Sequence, residues 1–327
     1  MKIAAFNYGG INQASSRLRS FYVFQSPVWR DHEVVFNPKF SSIHSFQCLH
    51  FQAVFKPRFI LLALYARLIG KQVIYDIDDQ TNKIKHLYPL LLMVLIAHTV
   101  VTDTELRKKY LQGITRKKNI EAISGVVDVN QYDLEKNNLL RVTPNETNVK
   151  EKSIILWLGN LANFSSFSSL INSDKRFYKY EIVVITDISN PSKIKLNHPN
   201  YSIKQWSINW ASYLDNETRY FMLLNHHDIN DKNSKYKSEG KMTSAIYNLI
   251  IPIVSNSHAY SAFAKSINAE FLVFNKDIAP FDILVKMESK DNEFFDDFFK
   301  KSIQYIEKNY SNQFISRKLL NLIKIFP

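Results

Sequence analysis

One stretch in the second half of the chain combines cations, a glycine and a helical pattern, which together could hold a charged substrate. Its cationic and polar members are Lys237, Ser238, Glu239, Gly240 and Lys241. Apolar residues recur at helical spacing after Lys241, which predicts a buried helix that begins here with Ser238 as its cap. Free backbone amides, the helix dipole and ammonium groups can together bind a diphosphate. An ordinary capped helix with exposed lysines is the alternative interpretation.

Two further loops should lie near that helix start. The apolar run Ile251–Ser255 predicts a buried strand, followed by Asn256 and Ser257. In a right-handed βαβ unit the start of the helix and the carboxyl end of the next strand share one sheet edge. Gly159 and Asn160 follow another strand-like run, and the chain has only seven glycines, so a glycine at a strand end indicates a loop that approaches a ligand closely.

A cluster of acids forms the second stretch with chemical potential, where Asp76, Asp78 and Asp79 follow the strand-like run from Gln72. Three carboxylates at a strand end repel one another, so a cation or hydrogen-bond donors should balance them. One interpretation is an Asp-x-Asp site that chelates Mg²⁺ or Mn²⁺ on a nucleotide, and another is a phosphatase loop in which Asp76 attacks phosphate. A third is a salt-bridged group paired with an arginine. Asp78 or Asp79 could also act as general base towards a hydroxyl.

A third group of candidates follows the first apolar run of the chain. Gly9 and Gly10 end that run, and Arg17 and Arg19 come shortly after them. Residues two apart on a helix cannot share a face, so the two arginines should have different partners. One of them is a candidate to bind a carboxylate or a phosphate, and either could pair with the acid cluster.

The elements that position these residues alternate between short apolar strands and helical segments, which favours a doubly wound parallel sheet in each half of an α/β chain. The predicted strands are Lys2–Asn7, Glu33–Phe36, Phe46–Phe51, Gln72–Asp76, Thr99–Thr102, Asn119–Ser124, Ser153–Leu158, Glu181–Thr186, Tyr201–Trp206, Ile251–Ser255 and Glu270–Phe274. A polar linker between the halves predicts lobes over residues 1–145 and 146–305, with a helix over 306–327 that packs back on the first lobe.

Composition narrows the possible partners and compartments. The chain has 327 residues with a formal net charge of +12, which indicates a polyanionic partner, and one cysteine, which excludes a disulfide scaffold. No zinc-finger or RNA-binding motif accompanies the charge, so we expect a diphosphate or an anionic membrane surface and no nucleic acid. The helix after Pro57 could rest on such a membrane, although packing on the sheet is the stronger interpretation. The start of the sequence has no apolar signal core, which predicts a cytoplasmic protein that is soluble or peripheral.

These motifs, in this order, resemble the GT-B glycosyltransferases, specifically the family-4-like enzymes. The resemblance rests on Lys237–Lys241, on Ile250–Ser255, on Leu156–Asn160 and on Ala14–Arg19, together with the Asp76–Asp79 cluster. It departs from the family pattern at Gly240, where the family has asparagine, and at Ile250, where it has glycine. The paired glutamates that many members carry around this helix are also absent, and Ser244 lies near the second of those positions.

The resemblance implies GT-B architecture, in which two Rossmann-like lobes face a central cleft, and transfer of a sugar from a nucleotide-activated donor. The donor-binding residues would be Gly159, Asn160, Lys237, Ser238, Glu239, Gly240, Asn256 and Ser257. The acceptor-binding residues would be Gly9, Gly10, Arg17 and Arg19, and the catalytic residues Lys241, Asp78 and Asp79. No metal or cofactor is implied beyond the nucleotide-sugar. The acceptor would be a cell-surface glycan such as capsule, lipopolysaccharide or glycoprotein glycan, and it could be lipid-linked. A catalytically degenerate binding protein with this fold is the alternative.

Overall fold

The computed structural model describes residues 1–78, 84–128, 152–188, 194, 196–214, 218–224 and 236–324. They form two compact units. The first comprises Met1–Val127, Lys235–Gly240 and Glu307–Pro327, and the second comprises Asp128–Ser234 and Lys241–Ile306. The predicted boundary between residues 145 and 146 lies outside the described residues and stays a prediction. The first unit also includes the short segment before Lys241, which was predicted to belong to the second lobe.

Every strand pairing recorded among the described residues is parallel. The strands are β1 (Lys2–Asn7), β2 (Glu33–Phe36), β3 (Cys48–Gln52), β4 (Gln72–Ile77), β5 (Thr99–Thr102), β6 (Ile120–Ala122), β7 (Lys152–Leu158), β8 (Glu181–Thr186), β9 (Tyr201–Gln205), β10 (Thr218–Leu224), β11 (Ile251–Ser255) and β12 (Val273–Phe274). The α-helices are α1 (Ala14–Ser16), α2 (Tyr22–Phe24), α3 (Pro57–Leu68), α4 (Ile84–Ile96), α5 (Glu105–Thr115), α6 (Phe164–Ser173), α7 (Gly240–Tyr247), α8 (His258–Ser266), α9 (Pro280–Glu288), α10 (Asn292–Tyr310) and α11 (Asn312–Lys324).

The first unit contains a six-stranded sheet in the order β2-β1-β3-β4-β5-β6. From β3 onwards the strands follow one another in sequence order, so their right-handed crossover helices α3, α4 and α5 cover the same face of the sheet. Residues of α3 and α4 pack with β1, β3 and β4 in the core beneath them. Helix α11 contacts α2, where the hydroxyl of Ser316 donates to the carbonyl of Val23 at 2.7 Å.

The second unit contains a six-stranded sheet in the order β12-β11-β10-β7-β8-β9. All seven residues of β10 are buried, and this strand was absent from the sequence-based prediction. The predicted strand Glu270–Phe274 is reduced to β12, because a 3₁₀ turn occupies Glu270–Leu272. The two parallel, doubly wound sheets confirm the predicted fold class of two Rossmann-like lobes.

Among the residues that the structure describes, no helix combines the length and the apolar character needed to cross a bilayer.

Candidate functional site

The second sheet has a topological switch point between β7 and β10. The chain leaves β7 for β8 on one side, and it later enters β10 on the other side of β7 before continuing to β11. Open parallel sheets bind ligands outside the carboxyl ends of the strands at such a point, because the loops there diverge and leave a crevice. In this unit the loop after β7 and the start of α7 lie at that edge.

Lys241 and Gly159 meet at this switch point. The ammonium of Lys241, in the first turn of α7, donates to the carbonyl of Leu158 at 3.0 Å. A Cβ at position 159 would lie 3.2 Å from that ammonium nitrogen and 3.0 Å from Cζ2 of Trp157, so any larger residue would displace the lysine or the indole by a few tenths of an ångström. The carbonyl of Gly159 accepts from the hydroxyl of Thr186 at 2.8 Å, which holds the loop against β8. An exposed ammonium is thus fixed beside a strand end and a helix start.

The remaining predicted donor residues of the second unit lie at the same sheet edge, after β7 and β11. Asn160 follows Gly159, and Asn256 follows β11 with its backbone N–H donated to Phe274. The side-chain oxygen of Asn256 accepts from the hydroxyl of Ser261 at 2.7 Å. The hydroxyl of Ser257 accepts from the backbone of Tyr260 and caps α8, so it has a structural role in this state.

Glu239 lies in the first unit. Its carboxylate accepts a hydrogen bond from the hydroxyl of Ser124 at 2.9 Å. The guanidinium of Arg107 donates to the carbonyl of Tyr236 at 2.9 Å, which anchors the same segment. Lys237, Ser238 and Gly240 belong to that segment too. Their assignment to the donor stays a prediction.

The first sheet has its own switch point between β1 and β3, and the predicted glycines follow β1 there. The backbone N–H of Gly9 donates to the hydroxyl of Ser16 at 3.1 Å, and that hydroxyl donates to Oε1 of Gln52 at 2.9 Å. The side-chain amide of Asn7 and Nε2 of Gln52 are buried without a hydrogen-bond partner among the described residues. A Cβ at Gly10 would meet no other atom within 4 Å, so this position of the loop after β1 is open.

Asn7 and Gln52 were not among the site residues predicted from the sequence. The available signal was an amide residue at the carboxyl end of each of two predicted neighbouring strands. An unpaired buried amide costs free energy, so these two groups are suited to bind the hydroxyls of a ligand.

Arg19 is buried and paired with Asp76. Its Nε lies 2.6 Å from a carboxylate oxygen of Asp76, and its Nη1 donates to the carbonyl of Ile123 at 2.9 Å. His50 lies 3.6 Å from the other carboxylate oxygen. Burial alone raises the pKa of Asp76, but the charge of Arg19 and the contact with His50 outweigh it and hold that pKa below its usual range. The salt-bridge interpretation of the acid cluster is therefore confirmed for this pair.

That pairing bears on two predictions. A buried carboxylate whose charge is compensated by a guanidinium is a weaker nucleophile, which disfavours the phosphatase interpretation of Asp76. Arg17 is also buried, and its Nη1 donates to the carbonyl of Ile11 at 3.0 Å. Acceptor binding by Arg17 and Arg19 stays a prediction, because both guanidinium groups contact the protein itself.

Asp103 lies near the same pair, at the start of the loop after β5. Burial raises its pKa to about 7, and the negative charges of Asp78 and Glu239 add to that shift, although Arg107 and Arg19 act against it. Asp78 is therefore close to a second acid whose proton is held near neutrality, which suits exchange of a proton with a hydroxyl group. Asp79, the other predicted catalytic carboxylate, lies outside the described residues.

Within the described ranges there is no group of three or more histidine, cysteine, aspartate or glutamate side chains that could hold a metal ion. The Asp-x-Asp interpretation depends in part on Asp79, so it is neither supported nor removed.

Comparison with known proteins gave matches only among solved structures. No protein-family model matches the chain. No curated protein sequence matches it either. HepE from Anabaena, solved with UDP, superposes with a TM-score of 0.67 at 9% identity, over 99% of this chain and 100% of that chain. An alpha-glucosyltransferase solved with UDP-glucose and DNA has a TM-score of 0.62 at 11% identity, over 99% of both chains.

A third similar structure matches over a smaller part of both chains. TarM from S. aureus, solved with UDP, has a TM-score of 0.57 at 13% identity, over 84% of this chain and 55% of that chain. At such low identities the likeness shows the fold, and that fold is the GT-B architecture expected from the motif series. Because one neighbour was solved with DNA, the exclusion of a nucleic acid partner stays a prediction.

Proposed function

We propose that this chain is a GT-B glycosyltransferase that takes a sugar from a UDP-activated donor. The observation that carries the proposal is the fixed position of Lys241 beside Gly159, at the switch point of the second sheet. The chain shares its fold with UDP-bound glycosyltransferases over nearly its whole length. An ammonium at a helix start is suited to the negative charge of a diphosphate.

In this proposal the second unit binds the donor. The diphosphate contacts Lys241 and the backbone at Gly159, and Asn160 and Asn256 supply polar contacts at the same edge. As the bond between the sugar carbon and the diphosphate oxygen breaks, negative charge grows on the leaving group. Lys241 stabilises that charge without having to be reoriented, because its hydrogen bond to Leu158 already fixes it.

The first unit binds the acceptor in the same proposal. Asn7, Gln52 and the glycines after β1 bind its hydroxyls, and the acceptor oxygen forms the new bond to the sugar carbon. Asp78 takes the proton of that hydroxyl, near the titrating carboxyl of Asp103. We propose a cell-surface glycan as the acceptor class, on the basis of the family resemblance and the basic composition.

Two measurements test the proposal, the binding of nucleotides and the turnover of a UDP-sugar. Both are made on Lys241→Ala and on a control variant. Calorimetric titration should show binding of UDP in preference to GDP and CMP, and Lys241→Ala should weaken it by about tenfold or more. Release of UDP from a UDP-sugar should fall by about 10²-fold in the same variant, since the lost ammonium meets charge that develops in the transition state. Lys265→Ala is the matched control, because it removes an exposed lysine from the last turn of α8, at the opposite end of that helix from Asn256 and Ser257.

Three results would change the conclusion. Absence of nucleotide binding would contradict the proposal. UDP binding without release from any UDP-sugar would favour the degenerate binding protein that the departures at Gly240 and Ile250 suggest. Equal effects of Lys241→Ala and Lys265→Ala would remove the role given to Lys241.

A further inference from the structure

Helix α3 has two apolar faces, of which only one is buried. Phe59, Leu62, Ala63 and Ala66 pack into the core. On the opposite face Leu61 is 67% and Leu68 is 76% exposed, and Leu64 and Tyr65 are each 42% exposed. The spacing of three and four residues places these four side chains on one continuous surface of the helix.

Helix α4 repeats the arrangement. Tyr88 is 68% exposed, Leu92 48% and Leu95 53%, while Leu90, Met93 and Val94 are buried. Helices α3 and α4 contact each other on the same side of the first sheet, so their exposed faces lie side by side. We call this combined surface the α3/α4 face; it consists of Leu61, Leu64, Tyr65, Leu68, Tyr88, Leu92 and Leu95. Its apolar area is on the order of several hundred Å², which is comparable with the largest patch on a typical monomer, and such patches are often functional.

The charges around the α3/α4 face are almost all positive. Neither α3 nor α4 contains an acidic residue. Arg58 and Arg67 are exposed on α3 itself, and Lys71 follows it. On the neighbouring α5, whose one acid is Glu105, exposed cations continue the border at Lys109 and, just after the helix, at Arg116 and Lys118.

Two pKa shifts show how closely the cations gather at the end of α4. Burial and then the charge of Arg67 lower the pKa of Lys117. The pKa of His98 is lowered by burial and by the charges of Arg67 and Lys117. The guanidinium of Arg67 also reaches the carbonyls of Leu95 and Ile96. Positive charge is thus concentrated directly beside the exposed leucines.

We propose that the α3/α4 face is a membrane-docking surface that binds anionic phospholipid. Its leucines and tyrosines would enter the boundary between headgroups and acyl chains, while the bordering arginines and lysines bind lipid phosphates. A second copy of the chain fits less well. A two-fold contact through this face would bring the same cations of both copies together, and like charges repel. An anionic surface instead complements both the apolar and the charged parts.

Vesicle sedimentation tests this surface without nucleotide or acceptor, so its result is independent of the proposed sugar transfer. The intact chain is mixed with phosphatidylcholine vesicles, with or without phosphatidylglycerol. We expect binding to the vesicles that contain phosphatidylglycerol and at least about tenfold less to the neutral ones. Binding should fall between about 0.01 M and about 1 M salt, because salt screens the phosphate contacts.

The double variant Leu61→Glu and Leu68→Glu should lower the bound fraction by about tenfold or more, since it places two acids on the α3/α4 face. Ile278→Glu together with Val285→Glu is the matched control pair, because it puts the same two charges on exposed apolar positions of the second unit. Circular dichroism establishes that each variant is folded. Absence of binding to anionic vesicles at low salt, or equal binding by the double variant, would overturn the proposal. So would light scattering that shows a dimer abolished by the double variant.

Discussion

The carboxyl ends of the two sheets differ in whether their cationic side chains are buried in ion pairs or exposed to solvent. In the first unit Arg19 is buried against Asp76 with 2.6 Å between the closest atoms, and Arg107 lies 3.3 Å from Asp103. In the second unit Lys241 is exposed and donates to a backbone carbonyl. Both sheets are parallel and doubly wound, so topology alone does not determine what a cation at this edge does.

The difference separates a structural charge from a charge suited to a ligand. A buried ion pair restricts the conformation of the elements it joins, here the helical segment around Arg19 and the end of β4, and its net charge is small. An exposed ammonium keeps its charge and stays accessible to an anion in solution. We therefore base the donor site on the second unit, and we regard the first unit's buried pairs as supports for the acceptor edge.

The largest effect should come from breaking the buried pair. Asp76→Ala leaves the guanidinium of Arg19 buried without its carboxylate, so the free energy of unfolding should fall by about 3–5 kcal/mol. Urea denaturation measures it. Lys241→Ala should change that free energy by no more than about 0.5 kcal/mol, because an exposed side chain loses little on truncation. A small loss for Asp76→Ala, or a large one for Lys241→Ala, would reverse the comparison.

A pH dependence of intermediate size should come from Asp103. Folding raises its pKa to about 7, so the folded state keeps a proton that the unfolded state has released. This contribution to stability is complete below about pH 4 and is lost as pH rises to about 7. Between about pH 5 and about pH 7 the free energy of unfolding should fall by about 2 kcal/mol because of this group.

The measurement compares urea denaturation of the wild-type protein and Asp103→Asn at several pH values. The variant should lose less stability than the wild type as pH rises. His98 has a lowered pKa and so contributes in the opposite direction, but it is present in both proteins and cancels in the difference. Parallel pH curves for the two proteins would show that Asp103 does not titrate in this range.

The smallest effect should come from adding a side chain at Gly159, next to the ammonium of Lys241. Gly159→Ala introduces a Cβ 3.2 Å from the ammonium nitrogen and 3.0 Å from Trp157, so the lysine or the indole must shift. We expect UDP to bind about tenfold more weakly, or about 1.4 kcal/mol. Gly113→Ala is the control, because a Cβ there meets open space in α5 and should leave UDP affinity unchanged. Unaltered affinity in Gly159→Ala would mean that the lysine tolerates displacement.

Local patterns were enough to predict most of the sheet architecture. β1 has the predicted bounds, Lys2–Asn7, because an apolar run there is bounded by a lysine and a glycine pair. β10 was not predicted, because its sequence lacks such a local signal. Its residues are all buried and show no alternation of polar and apolar positions, so the local pattern does not distinguish a strand from a buried helical segment.

The candidate site was predicted less completely, since its contacts join distant parts of the chain. Arg19 and Asp76 are 57 residues apart, and their pairing was one of several interpretations. Ser124 and Glu239 are 115 residues apart, and no local pattern indicates that Glu239 packs with the first unit. Lys241 was identified because the helix start is a local feature, whereas its proximity to Leu158 depends on the sheet order.

The position of α11 has a consequence for biosynthesis. Buried side chains of this helix, Ile315, Leu319 and Ile323, belong to the first unit, and the carbonyl of Leu322 accepts from Gln72 at 3.3 Å. A ribosome releases residues 1–127 long before it releases residues 312–324, so the first unit must wait with part of its surface uncovered. The second unit, most of which is made in between, has no such wait for α11. Translation speed and chaperone access during that interval should therefore affect the yield of the first unit more than that of the second.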